Sequence, residues 1–255
     1  MKTQLNRRLI ARLDIKKNRL IKGVHLEGLR YLGDPKDYAF RYYEQGIDEL
    51  LLLDSVASLH GRNALHEIID EITKNIFIPV TIGGGINSLD QAKKMFDSGA
   101  DKITMNSFAV ENPNLINEVA SNFGSQAITI SLQVKRIDND FKVMTFNGRE
   151  ISDKNINSWI MEVEDRGAGE IMITSIDQEG TMNGFDIELQ KYILEKSNLP
   201  IICSGGIGSI EHIKETFNNG AEGVAIASAL HYEKISLKNI RSELLTTGIK
   251  VRSIE

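Results

Sequence analysis

The chain has 255 residues, 41% hydrophobic and 25% charged, with a formal net charge of −5. This is ample for a large core, and Lys and Arg scattered under a net negative charge argue against a nucleic-acid-binding surface. The one cysteine, Cys203, rules out an intramolecular disulfide, no Cys/His spacing suggests a metal, and no run approaches the roughly 20 apolar residues of a membrane span. The basic opening MKTQLNRRLIARLD has no apolar run long enough for a signal peptide, so a cytoplasmic protein with no metal, cofactor, membrane or nucleic-acid partner is expected.

Apolar runs of strand length recur along the chain: RLIARLDI, ELLLLDSV, IPVTIGGG, DKITMNS, QAITISLQV, EIMITSI, LPIICSGG and GVAIAS. Amphipathic stretches such as SLDQAKKMFDSG and SIEHIKETFNNG separate them, opening on Ser and closing on Gly as helices do. Near-continuous apolar strands alternating with helices imply a parallel sheet covered by helices. Eight such units in about 250 residues predict one α/β domain over 1–255, a closed (β/α)8 or TIM barrel.

The chain also repeats itself. Residues 79–107 align without gaps on 200–228, and GIDELLLLD falls on GAGEIMITS at the same spacing. The reading is of two half-barrels, about 1–124 and 125–255. Near that spacing RLDIKK falls on SLQVKR, so Asp14 at the end of the first strand matches Gln133 at the end of the fifth.

The third run ends in Gly83-Gly84-Gly85 and the seventh in Gly205-Gly206, each followed by a Ser-led helix start. The fourth and eighth end in Asn106-Ser107 and Ala227-Ser228. Glycine lets backbone N–H groups approach an anion closely, and barrels commonly hold phosphate after strands seven and eight. Two such turns half a barrel apart suit an elongated ligand with a phosphate at each end. After the fifth strand, RIDNDFKVMTFNGREI carries two turn signals and predicts a β-hairpin over the mouth. His60, His66 and His231 lack a paired carboxylate or metal spacing and read as structural or solvated, while His25, near Lys22, is within reach of a ligand but is not expected to bind it. Trp159 reads as a packing residue, Cys203 as a small buried hydrophobe, and Arg62 as solvent-exposed or within reach of an anion.

The phrases RLDIKKNRLIKG, GLRYLGDP, YEQGIDELLLLD, IPVTIGGGI, GADKITMNS, AVENP, FGSQ, RGAGEIMITSID, GTMNGFD, LPIICSGGIGS and ASALHY resemble the cyclase subunit of imidazole glycerol phosphate synthase, through nearly the whole chain. The resemblance implies a partner glutaminase, forming a heterodimer at the bottom of the barrel, whose ammonia passes up the axis. At the top the ammonia meets a bis-phosphate ribulosyl aminoimidazole carboxamide nucleotide, giving imidazole glycerol phosphate for histidine biosynthesis.

By the same resemblance Asp14 is the first catalytic aspartate and Gln133 stands at the second. Lys22 lies on a long mobile loop after the first strand, Asp54 follows the second, and Thr174 lies at the sixth strand's mouth. Gly84, Gly85, Asn106 and Ser107 form one phosphate site, and Gly180, Gly205, Gly206, Ala227 and Ser228 the other. Glu179 replaces the family's usual Asp. Arg8, Glu49, Lys102 and Glu170 form the charged ring at the ammonia entrance, with Asp101 an adjacent partner contact. A Gln amide cannot be a general base. The alternative is therefore a paralogue that keeps the ammonia machinery and feeds amidination of a bacterial surface sugar; a non-catalytic scaffold is the blandest reading.

Overall fold

The computed structural model describes residues 6–57 and 65–253. Eight parallel strands form the central sheet: β1 (Arg8–Lys16), β2 (Glu49–Asp54), β3 (Val80–Gly83), β4 (Lys102–Met105), β5 (Ile128–Ile137), β6 (Glu170–Ser175), β7 (Ile201–Ser204) and β8 (Gly223–Ile226). Each pairs with the next, and β8 pairs back onto β1, so the sheet closes. Among the described residues a longer helix follows each barrel strand: α1 (Pro35–Glu44), α2 (His66–Thr73), α3 (Leu89–Asp97), α4 (Asn114–Phe123), α5 (Ile156–Asp165), α6 (Ile187–Leu194), α7 (Ile210–Asn218) and α8 (Leu237–Thr246). The expected (β/α)8 barrel is therefore observed.

Strand alternation explains two separate cores. Along β1, Leu9, Ala11, Leu13 and Ile15 face out and join the layer between sheet and helices, where Trp159 and Cys203 are also buried. The intervening residues Arg8, Ile10, Arg12 and Asp14 face in. Ile10 packs inside the barrel with Leu51, Met172, Ile202 and Ala225. The helices begin where the caps dictate: Ser88 Oγ accepts from the Gln91 amide at 3.4 Å and Ser209 Oγ from the His212 amide at 3.3 Å. No helix among the described residues is long and apolar enough to cross a membrane.

Two strands outrun the barrel and fold back over its C-terminal rim. β5 continues into a hairpin with Asp140–Thr145, pairing Gln133 with Met144 and Ile137 with Asp140. The turn residues Asp138 and Asn139 have φ of +50° and +61°, the sign pattern of a tight hairpin turn. This is the hairpin expected over 136–151. The segment after β1 differs from expectation. Arg19–Val24 pairs with β1 through Asp14–Ile21, Ile15–Leu20 and Lys16–Arg19, and then with Glu27–Gly33. Lys22 therefore sits on a hydrogen-bonded strand and not on an open loop, because the Lys17-Asn18 turn (φ +49° and +58°) reverses the chain in two residues.

The two halves repeat in backbone detail. Gly84 and Gly205, 121 residues apart in the sequence, have φ of +101° and +103°. Asn106 and Ala227 share φ near −135° and −121° with ψ near −93° and −84°.

Candidate functional site

Because the barrel strands are parallel, all their C-terminal ends share one rim. The glycine turns after β3 and β7 therefore open on the same side. On one flank a cleft is lined by Asp14, Asp54, Gly84, Gly85, Asn106, Ser107 and Gln133 among others. On the other, a smaller cleft is lined by Gly180, Gly205, Gly206, Ala227 and Ser228, with Glu179 and Ser204. Both predicted residue groups thus assemble as groups. Glycine is required at the turns: a Cβ on Gly84 would overlap the Asp54 carbonyl, and one on Gly205 would lie 2.8 Å from the Ser175 carbonyl. The β5 hairpin braces the first cleft. Asn106 Nδ2 donates to the Ser131 and Met144 carbonyls at 2.8 and 3.1 Å, and the Phe146 amide donates to Ser107 Oγ at 2.7 Å.

Between the clefts lies a buried cluster of four charges. Arg12 Nε donates to Asp14 Oδ1 at 2.9 Å, and Arg12 Nη1 donates to Ser204 Oγ at 2.9 Å and to Glu179 Oε2 at 3.4 Å. Lys22 Nζ reaches Asp14 Oδ2 at 3.3 Å and pairs with Glu179 Oε1. All four residues are almost fully buried. Two cations against two anions is the composition that allows such burial, because an isolated charge there would cost several kcal/mol. Burial alone would push the Asp14 carboxyl up, but Arg12 and then Lys22 outweigh it and hold it below its ordinary value. Glu179 is likewise held down by Lys22 and Arg12 against burial.

Sequence reasoning missed Arg12. A signal was present: Arg8, Ile10, Arg12 and Asp14 alternate on one face of a strand that otherwise reads as apolar. Thr174 lies level with Gln133 in the β5–β6 register, fully buried and outside both cleft linings. Gln133 Oε1 and Thr104 Oγ1 are buried acceptors without a hydrogen-bond partner, and both residues line the first cleft. His25 is used structurally, its Nδ1 lying 3.0 Å from the Ile176 carbonyl. His231 stacks on Tyr42, with Nδ1 2.7 Å from the tyrosine hydroxyl. His60 and Arg62 lie outside the described residues. Among the described residues no three His, Cys, Asp or Glu side chains gather as a metal site requires.

The opposite rim carries the four charged residues expected at the strand starts. Arg8 pairs with Glu49 at 2.8 Å and with Glu170, while Lys102 lies 3.5 Å from both carboxylates. Charges alternate around a closed ring. Burial works against the Arg8 charge, but Glu170 and Glu49 raise its pKa above the ordinary value. Thr129 Oγ1 donates to Glu170 at 3.3 Å from inside the barrel, and the inner apolar cluster follows. Asp14 lies six residue steps along β1 from Arg8, about 20 Å at roughly 3.3 Å per residue. Asp101 stands exposed on the same rim, its carboxylate accepting from the Val80 amide at 2.8 Å.

Comparison with known proteins accords with this geometry. The model of the histidine biosynthesis protein family matches residues 8–236. A Legionella pneumophila protein named imidazole glycerol phosphate synthase subunit HisF is 52% identical over 207 residues, 81% of this chain and 98% of that relative. Proteins of the same name from Thermotoga sp. (strain RQ2) and Thermococcus onnurineus (strain NA1) are 42% and 43% identical over 248 residues, 97% of this chain and 98% of each relative. With a family model spanning most of the barrel and relatives alike over nearly its whole length, this chain belongs to the HisF family of histidine-biosynthesis proteins.

Proposed function

We propose that this chain is the cyclase subunit of an imidazole glycerol phosphate synthase, acting with a glutaminase partner. The observation that carries the reading is the division of labour between the rims. Two glycine-turn clefts share one rim, and a closed ring of alternating charges fills the other, about 20 Å away along β1. Ammonia released by the glutaminase enters at Arg8, Glu49, Lys102 and Glu170, with Asp101 on the docking face. It moves past the apolar interior of Ile10, Leu51, Met172, Ile202 and Ala225, which offers it no competing charge.

At the mouth the two clefts hold the terminal phosphates of the ribulosyl aminoimidazole carboxamide nucleotide through backbone N–H groups. The reacting middle of the ligand then lies over the Arg12, Asp14, Lys22 and Glu179 cluster. Gln133 orients ligand by hydrogen bonds and supplies no proton equilibrium. The test is turnover of that nucleotide by the purified chain with excess ammonium salt, which bypasses the partner. Formation of imidazole glycerol phosphate supports the reading, and a folded chain that makes none at any ammonium level removes it.

A second reading is favoured by one observation: an amide stands at Gln133 and Asp14 is salt-bridged by Arg12, so neither position carries a proton to exchange near neutral pH. A chain that conducts ammonia and hands it to a separate synthetase for amidination of a surface sugar needs the ring and not the acid–base pair. A blank cyclase assay together with ammonia transfer from the glutaminase to such a synthetase would select it.

A further inference from the structure

We propose that Arg12 is a positioning residue: its guanidinium, forked between Asp14, Glu179 and Ser204, holds Asp14 in the mouth as a fixed anion that accepts hydrogen bonds and donates no proton. Arg12 rises from β1 two residues before Asp14 on the same inward face and crosses to β7, where it is anchored by Ser204 at 2.9 Å. One donor, Nε, is directed at Asp14 Oδ1 at 2.9 Å, so the carboxylate plane is set by a planar group that cannot lose its own proton. The other Asp14 oxygen faces Lys22 at 3.3 Å.

The titratable groups around Asp14 come from several elements. Arg12 lies on β1, Lys22 on the paired strand Arg19–Val24, Asp54 at the end of β2, Glu179 follows β6, and His231 ends the short helix Ser228–His231 after β8. His231 is held neutral, its pKa pushed down to about 3 by burial and then by Lys22, so it brings no further charge at neutral pH. Two cations thus face Asp14, and the anion Glu179 beside it is shared between those same cations, while Asp54 on the adjacent strand lines the same cleft. Burial and the nearby Glu179 favour a protonated Asp14, and the two cations in direct contact with it outweigh them.

The consequence is a division of roles different from that of an acid–base pair. Opposite Gln133, whose amide has no proton to exchange, Asp14 contributes a fixed negative charge. Such a charge suits an N–H donor arriving from the barrel axis and a positive charge developing on nitrogen. Proton release is left to solvent or to ligand phosphate. The inference uses the proposed function only in its turnover arm.

The test is a 13C NMR titration of the Asp14 carboxyl carbon, assigned by Asp14→Asn, in the full chain and in Arg12→Met, Arg12→Lys and Ser204→Ala. In the wild type the Asp14 signal stays that of a carboxylate from pH 8 down through the ordinary aspartate value of about 3.9. Arg12→Met moves its inflection upward. Arg12→Lys and Ser204→Ala, which keep the cation and are the milder changes, move it less but in the same direction. In parallel, the acid limb of ammonium-driven turnover shifts the same way in Arg12→Lys. An Asp14 that is protonated at neutral pH, or that titrates identically with and without the guanidinium fork, overturns the proposal. A blank turnover assay alone removes the proposed function and leaves the titration readable.

Discussion

His231 makes acid stability a quantitative test of the packing behind the mouth. Its ring stacks on Tyr42 with centroids 5.9 Å apart and planes 19° from parallel, and Tyr38 meets it edge-on at 5.6 Å. Burial, then the nearby Lys22, push its pKa from 6.5 down to about 3. The unfolded chain therefore binds a proton at this residue below about pH 6.5, while the folded chain stays neutral there until about pH 3. The unfolded state holds more protons in that window, so stability falls as the pH is lowered through it. Each pH unit is worth about 1.4 kcal/mol, so the drop from pH 6.5 to 5 costs about 2 kcal/mol. Against a typical total of about 5–15 kcal/mol that is a readable loss. Asp14 and Glu179, held low by their cations, add their own loss only below the ordinary carboxylate range of about 4. The window from 6.5 to 5 therefore lies above these carboxylates, and comparison with a variant at His231 singles out this histidine. The measurement is urea unfolding at several pH values for the wild type and for His231→Phe, which keeps the stack. The variant loses the Tyr42 hydrogen bond, a cost of about 1–3 kcal/mol. That cost is constant with pH, since the Tyr42 hydroxyl is itself pushed up to about 12 by burial. The wild type should lose about 2 kcal/mol more than the variant between pH 6.5 and 5. Parallel curves for the two proteins would refute the buried, neutral histidine.

Three further outcomes follow from the geometry. Gly84→Ala, which drives a Cβ into the Asp54 carbonyl at φ +101°, should cost about 1–3 kcal/mol in denaturant unfolding and lower affinity for the bis-phosphate ligand in calorimetry; unchanged affinity would remove Gly84 from the ligand site. Lys102→Met leaves Arg8 as the one cation paired with Glu49 and Glu170 among the described residues, and should lower glutamine-driven turnover more than ammonium-driven turnover in the complex; equal losses would count against an entrance role. Gln133→Asp restores a titrating carboxyl opposite Asp14, and should raise ammonium-driven turnover toward the roughly 10²-fold or more typical of general acid–base catalysis. A rate no higher than the wild type would mean that the mouth departs from a cyclase by more than this residue.

The barrel was legible because its strands are continuous runs of Leu, Ile and Val, and its turns need glycine. The repeat of Gly84-Gly85 at Gly205-Gly206 marked both clefts, since few other residues tolerate those backbone angles so close to a neighbouring carbonyl. The charged ring was legible for a related reason: Glu49, Lys102 and Glu170 begin apolar strands, where a charge needs partners. Arg12 was not, because its burial depends on two residues distant in the chain, Glu179 and Ser204, and no local pattern announces them. The strand carrying Lys22 was hidden by its turns. Asp138-Asn139 is a recognisable hairpin turn, whereas His25-Leu26 places φ of +53° and +63° on residues that rarely adopt them.

In the proposed function the mouth receives both ammonia and a ligand phosphorylated at each end. Supplying the isolated chain with the ribulosyl aminoimidazole carboxamide nucleotide and a graded series of ammonium salt, and following imidazole glycerol phosphate, measures this directly. A saturable, ammonium-dependent rate is the predicted result. No product across the series, from protein shown to be folded, would contradict it.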